Sequence, residues 1–138
     1  MIYTSDNGGV LLRDTLDLGH RCNGELLGQK TDAWEGGHRI PFIARWPGKI
    51  PAGATCHEPA MTIDMFPTIA RLIGAKLPQR PIDGLDIWPL LNAQPGAKSP
   101  HEAVYFYWLH RLCAVPPGNW TPTLPPASRT HSPPGRGP

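Results

Sequence analysis

The sequence predicts an α/β chain, on three observations. Met1, Ile2 and Tyr3 suit a strand, and Asp6-Asn7-Gly8-Gly9 must stop it, because these residues favour turns and positive φ. Residues 39–46, RIPFIARW, look like a second, buried strand ended by Pro47-Gly48, with Pro41 marking its start or an edge. Residues 64–73 give the clearest helix, because Met65, Ile69, Leu72 and Ile73 fall at i, i+4, i+7 and i+8 in one apolar stripe. Asp64 is placed to cap this helix, Pro67 sits harmlessly in its first turn, and Gly74 is a suitable stop.

The remaining elements follow in order. Residues 10–38 form a long polar connection with one apolar patch, Val10-Leu11-Leu12. Loops of that length are usually functional or disordered. Within it Glu35 and Arg39 are spaced i to i+4, but Gly36-Gly37 argues against a helix there. A short helical turn is expected near Ile87–Leu91, after the Asp83-Gly84 turn. Val104–Trp108 and Arg111–Val115 can pair as a hairpin about Leu109-His110. From Pro116 the composition changes: 8 of the last 23 residues are proline, against an average near 5%. Such a segment cannot build a sheet ladder, so 116–138 reads as a disordered tail.

The 138 residues suffice for one ordinary domain, and 40% are hydrophobic, so a core is possible. A net charge of +2 gives no reason to expect nucleic acid or an anionic membrane as partner. No apolar run is long enough to span a bilayer, and the first residues lack the basic start and apolar stretch of a signal peptide. Cys22, Cys56 and Cys113 form no CxxC pair and no zinc spacing, and are expected to be separate small buried residues.

Two loops carry possible chemistry. Asp6 and Asn7, at the end of a strand, offer a carboxylate and an amide oxygen side by side, donors that suit a hard divalent cation. The glycines beside them let backbone approach closely. A plain turn explains the same residues, since Asn-Gly needs no ligand. Lys30 lies in a glycine-flanked loop, GQKTDAWEGGHR, from which an ammonium can reach an anion; a solvated surface lysine is the bland alternative. Trp34 reads as packing. His20, His38, His57, His101, His110 and His131 form no HExxH, and each reads as structural or exposed. Asn119-Trp120-Thr121 fits a glycosylation sequon, a pattern common by chance.

Taken together, these stretches resemble the sulfatase family, of the alkaline-phosphatase-like superfamily. The matching segments run in order: YTSDNGG at 3–9, CNGELLGQKTDAWEGGHRIPFIARWPGKIPAG at 22–53, TIDMFPTIARLIGAKLP at 62–78, IDGLDIWPLL at 82–91 and VYFYW at 104–108. A lone DNGG is weak; DNGG followed by a lysine, WEGG-x-R-x-P and a D-x-x-P-T helix is specific. The resemblance implies metal-assisted hydrolysis of sulfate esters. It matches Asp6 and Asn7 to a late pair of ligands for a divalent cation, usually Ca²⁺, and Lys30 to the lysine that contacts the sulfate. Glu35, Gly36, Gly37, Arg39 and Pro41 match a signature that would shape the loop carrying Lys30. Where the family often has Pro-Leu-Arg, this chain has Glu25-Leu26-Leu27, which touches the loop's detail and the choice of substrate.

The resemblance also sets the architecture. Residues 1–95 would be the end of a large mixed-sheet catalytic domain, and 96–115 the start of a small C-terminal antiparallel sheet. Residues 116–138 would be the tail, where a shifted reading frame would account for the loss of family character after residue 115. The family's nucleophile, a formylglycine made from C/S-x-P/A-x-R, has no counterpart at a family position. Ser132-Pro133-Pro134-Gly135-Arg136 fits the pattern literally but belongs to the proline-rich composition. The early metal-binding aspartates are absent too, so the chain is expected to be inactive alone. The alternatives are a phosphate or phosphonate ester hydrolase fragment of the same superfamily, and a non-catalytic cation- or partner-binding module. A third possibility is assembly with a separate chain that supplies the upstream half. Without neighbours the first strand and the apolar helix face lack cover, and aggregation of the isolated chain is expected.

Overall fold

The computed structural model describes residues 1–108 and 111–115, with the backbone alone for Trp108 and Arg111–Val115. In chain order the elements are β1 (Ile2–Thr4), α1 (Arg13–Asp17), α2 (Glu35–His38), β2 (Phe42–Ala44), a 3-10 turn (Thr62–Asp64), α3 (Met65–Leu72), α4 (Trp88–Leu91), β3 (Val104–Trp108) and β4 (Arg111–Val115). The Leu109-His110 turn, the 116–138 tail, the sequon at Asn119 and the Ser132 motif lie outside the described residues. The described chain falls into two compact units. One holds Met1–Thr4 and Phe42–Val104; the other holds Ser5–Pro41 and the segment from Tyr105.

In the first unit β1 pairs antiparallel with β2, in the register Ile2↔Ala44, Tyr3↔Ile43, Thr4↔Phe42. The ladder is closed at its end by Arg45, whose N–H donates to the Met1 carbonyl at 2.8 Å while the Met1 amine donates to the Arg45 carbonyl at 2.8 Å. Pro41 immediately precedes β2, where its missing N–H costs no ladder bond. The expectation of a buried strand at 39–46 is corrected: β2 is only three residues long and Ile43 is 57% exposed. A two-stranded ribbon has no layer on either face, so its apolar side chains meet solvent.

The helix α3 is present where the periodicity put it, and it stops as expected. Gly74 takes φ 67°, its N–H donates to Arg71 O at 3.2 Å, and Ala75 N–H closes on Ala70 O at 2.8 Å. This is a Schellman stop. Its packing differs from the stripe: Pro67, Thr68 and Ala70 are buried, while Ile69 is 44% and Ile73 73% exposed. The buried side of α3 is held by polar groups. The Thr68 hydroxyl donates to Asp64 O at 2.7 Å and accepts from Ile87 N–H at 2.9 Å. Asp64 sits at the N-cap position, but its carboxylate makes no cap bond to the helix. Instead it accepts from Met61 N–H at 2.7 Å, Leu85 N–H at 2.9 Å and His101 Nε2 at 2.8 Å. The short run into α4 is thereby docked on α3 through Asp64 and Thr68, and Ile87 and Leu90 complete the small core. Trp88 meets Trp46 edge-on, with ring centroids 5.6 Å apart. The turn at Ile87–Leu91 is realised as α4.

β3 and β4 are hydrogen-bonded neighbours in a second two-stranded sheet, as the hairpin pattern predicts. Cys22 and Cys56 are free thiols at the surface, a correction to the expectation of burial. The loops around them pack no core against either side chain; the Cys22 thiol donates to Val10 O at 3.4 Å. Among the described residues no helix is long and apolar enough to cross a membrane.

Candidate active site

The second unit is built around glycines that allow backbone to touch backbone. Gly8 N–H donates to Gly37 O at 2.8 Å. A Cβ on Gly8 would fall on the Gly36 carbonyl, and one on Gly36 would fall on the Gly28 carbonyl. One on Gly37 would strike the carbonyls of Asp32 and Gln29. The DNGG and WEGG segments are therefore two halves of one interlock, in which any side chain would force the strands of backbone apart.

That interlock corrects the expectation that Gly36-Gly37 excludes a helix. Glu35–His38 form the single turn α2, and the Glu35 carboxylate pairs with Arg39 at 3.5 Å across i to i+4. Helix propensity penalises glycine by about 1 kcal/mol. Here both glycines are buried, and the close contacts they permit outweigh the penalty.

The long 10–38 connection has order of its own. Besides α1, its side chains pin its backbone. Asn23 accepts from Gly9 N–H at 2.8 Å and donates from Nδ2 to Gly9 O at 3.0 Å and to Gly28 O at 3.1 Å. Gln29 Oε1 accepts from Leu11 N–H at 2.9 Å. Lys30 N–H donates to Gly9 O at 3.1 Å, which joins the lysine loop to the segment following Asp6-Asn7-Gly8.

The three residues singled out from sequence lie in this unit. Asp6 is exposed and Asn7 half-buried; Lys30 is exposed. Asn7 Nδ2 donates to Gly8 O at 3.0 Å, which turns its amide nitrogen to the backbone. Among the described residues neither the Asp6 carboxylate nor the Lys30 ammonium has an ion-pair partner. A carboxylate and an amide oxygen fit a hard cation in kind, but such an ion takes six to eight oxygens. No group of three or more His, Cys, Asp or Glu able to hold a metal occurs among the described residues. Asp6 and Asn7 are thus at most part of a coordination shell.

Sequence reasoning passed over three groups. Asn23 and Asp32 hold the loop, Asp32 by accepting Gln29 N–H at 2.9 Å. Polar residues in a polar loop give no periodicity to find them by. The third is His38, half-buried against Phe106 with ring centroids 3.8 Å apart. Its Nδ1 is buried and has no hydrogen-bond partner among the described residues. Burial pushes the His38 pKa below the usual histidine range, and the Glu35 carboxylate offsets this only in part. Trp34 is 40% exposed, so packing covers only part of its ring.

The arrangement is a chain of short helices and two-stranded sheets in which the DNGG segment and the Lys30 loop are locked together by backbone bonds and close glycine contacts. A model of the sulfatase family matches residues 1–75. Among the similar proteins, human arylsulfatase A is 43% identical over 107 residues, covering 78% of this chain and 20% of the relative. Human arylsulfatase D is 44% identical over 116 residues, covering 82% and 19%. Rat steryl-sulfatase is 40% identical over 119 residues, covering 83% and 20%. The chain belongs to the sulfatase family. It spans about a fifth of the length of these relatives.

Proposed function

We propose that the chain is the part of a sulfuric ester hydrolase that contributes the later metal ligands and the sulfate-contacting lysine. Family membership supports this reading, and one structural observation carries it. The Gly8–Gly37 and Lys30–Gly9 backbone bonds fasten the Asp6-Asn7 segment and the Lys30 loop into one unit. Asp6 and Asn7 Oδ1 would hold a divalent cation such as Ca²⁺, which when bound supplies Lewis-acid polarisation of the sulfate oxygens. Lys30 presents a point charge to the same oxyanion. At about 4 Å and an effective dielectric near 20, such a pair attracts by roughly 4 kcal/mol. In a complete site, loss of a comparable donor costs about 10²–10³ in rate.

In this reading residues 1–95 belong to the catalytic α/β domain and 96–115 open the small C-terminal sheet. The substrate class is a sulfate ester.

Titration of the ¹⁵N-labelled chain with inorganic sulfate, with and without Ca²⁺, tests the proposal. Saturable shifts at the Gly8, Gly9 and Lys30 amides are expected, stronger with Ca²⁺ and lost in Lys30→Ala. Absence of any sulfate response, or a response unchanged in Lys30→Ala, contradicts it. Inorganic phosphate bound in preference to sulfate would instead favour a phosphate ester hydrolase. Tight Ca²⁺ binding with no oxyanion response would favour a cation-binding module.

A further inference from the structure

Asp32 N–H donates to Gln29 O at 2.9 Å, closing a β-turn with Lys30 and Thr31 at its two central positions. Thr31 has φ 82°, the value a type II turn demands at its third residue, where glycine or asparagine normally stands. For a β-branched residue this is a true outlier. Strain of that kind persists only where the surroundings over-determine it, and it concentrates at functional sites. The surroundings here are explicit. The Asp32 carboxylate accepts Gln29 N–H at 2.9 Å across the mouth of the turn. The Gln29 side chain accepts Leu11 N–H at 2.9 Å, and Lys30 N–H is tied to Gly9 O at 3.1 Å. The lysine backbone is thus fixed from both sides by a turn that its own sequence disfavours.

We infer that Asp32 is a positioning residue for the Lys30 ammonium: its carboxylate clamps a turn that is strained at Thr31 and so keeps Lys30 from relaxing out of its docked conformation. The inference rests on the reading of Lys30 as the sulfate contact. It goes beyond that reading in assigning a side chain that holds the lysine turn, in addition to the close backbone packing of Gly37 on Gln29 and Asp32.

The test uses the full chain and inorganic sulfate with Ca²⁺, read by the Lys30 ε-methylene and amide resonances. The Gly8 and Gly36 amides serve as reporters of folding. Asp32→Ala should weaken sulfate binding by roughly tenfold, in keeping with the sensitivity of oriented contacts to small misplacement. Asp32→Asn, which keeps an acceptor oxygen, should recover most of it. Thr31→Gly, which accepts the positive φ without strain, should raise the unfolding midpoint and bind sulfate as the native chain does, and Asp32→Ala should cost less affinity in the Thr31→Gly background than alone. A carboxylate with no part in holding the turn would show the same cost in both backgrounds. If Lys30→Ala leaves sulfate binding intact, the underlying reading fails. If Lys30→Ala removes binding but Asp32→Ala binds sulfate as the wild type does, the positioning role is overturned. Should Asp32→Ala fail to fold, Asp32→Ala in the Thr31→Gly background decides alone: sulfate binding equal to that of Thr31→Gly overturns the role.

Discussion

His38 is the residue at which environment and chemistry disagree most. Its ring lies on Phe106, its Nδ1 is buried without a partner among the described residues, and burial lowers its pKa. A folded-state value below the unfolded one means that the unfolded chain binds the proton more readily. Stability is therefore fully present above the unfolded value, near 6.5, and is lost as pH falls through the folded value. Denaturant midpoints measured between about pH 7.5 and about pH 5.5 should fall in the native chain. They should fall less in His38→Phe, which keeps the stack and removes the titration; equal pH slopes in the two proteins would refute this. Glycines set the other residue-scale expectation. Gly36→Ala would drive a methyl into the Gly28 carbonyl, and overpacking of this kind costs about 1–3 kcal/mol. Equilibrium unfolding of Gly36→Ala should show a loss of that order; a loss below about 0.5 kcal/mol would mean that the interlock yields. Neither effect was visible in the sequence. His38 looked like any histidine outside a zinc spacing, and although the DNGG glycines read as allowing close backbone approach, no local pattern named the Gly28 carbonyl as what Gly36 meets.

Among the elements, α3 shows how far periodicity reaches. The stripe of Met65, Ile69, Leu72 and Ile73 located the helix and Gly74 its stop, because both depend on local geometry. The buried face was not legible, because it depends on partners distant in sequence: Asp64 meets Leu85 and His101, and Thr68 meets Ile87. Asp64 is fully buried with its carboxylate wholly engaged, so removing either member of the Asp64–His101 pair strands polar groups inside. Breaking a buried pair in this way costs about 3–5 kcal/mol. Thermal unfolding of Asp64→Ala and His101→Ala should register losses of that size, against small effects for the exposed pair Lys98–Glu58 at 2.9 Å. Comparable losses at both pairs would contradict the assignment. The strands were legible in position but not in burial, since β1 and β2 are apolar by composition yet form only a two-stranded ribbon.

For the whole molecule, the apolar surface is the dominant fact. Ile43, Phe66, Ile69 and Ile73 are exposed, on elements whose sequences are patterned for burial. The matched stretch is 20% of human arylsulfatase A, so most of such a relative lies outside it. The isolated chain should accordingly bind a dye for exposed apolar surface more strongly than a full-length relative does. Dye binding no stronger than that of the relative would contradict this. The family itself was legible at this scale, because DNGG, the lysine loop and WEGG are joined by direct backbone contact in the fold and so had to appear together in the sequence.

If the Asp6-Asn7 oxygens and the Lys30 ammonium face one bound oxyanion, a paramagnetic ion on the cation ligands broadens the resonances of the lysine tip. Substoichiometric Mn²⁺ with sulfate should therefore broaden the Lys30 ε-methylene signal in the native chain and leave it sharp in Asp6→Ala. A Lys30 signal that stays sharp while Gly8 and Gly9 broaden would place the ammonium away from the cation and refute the shared site.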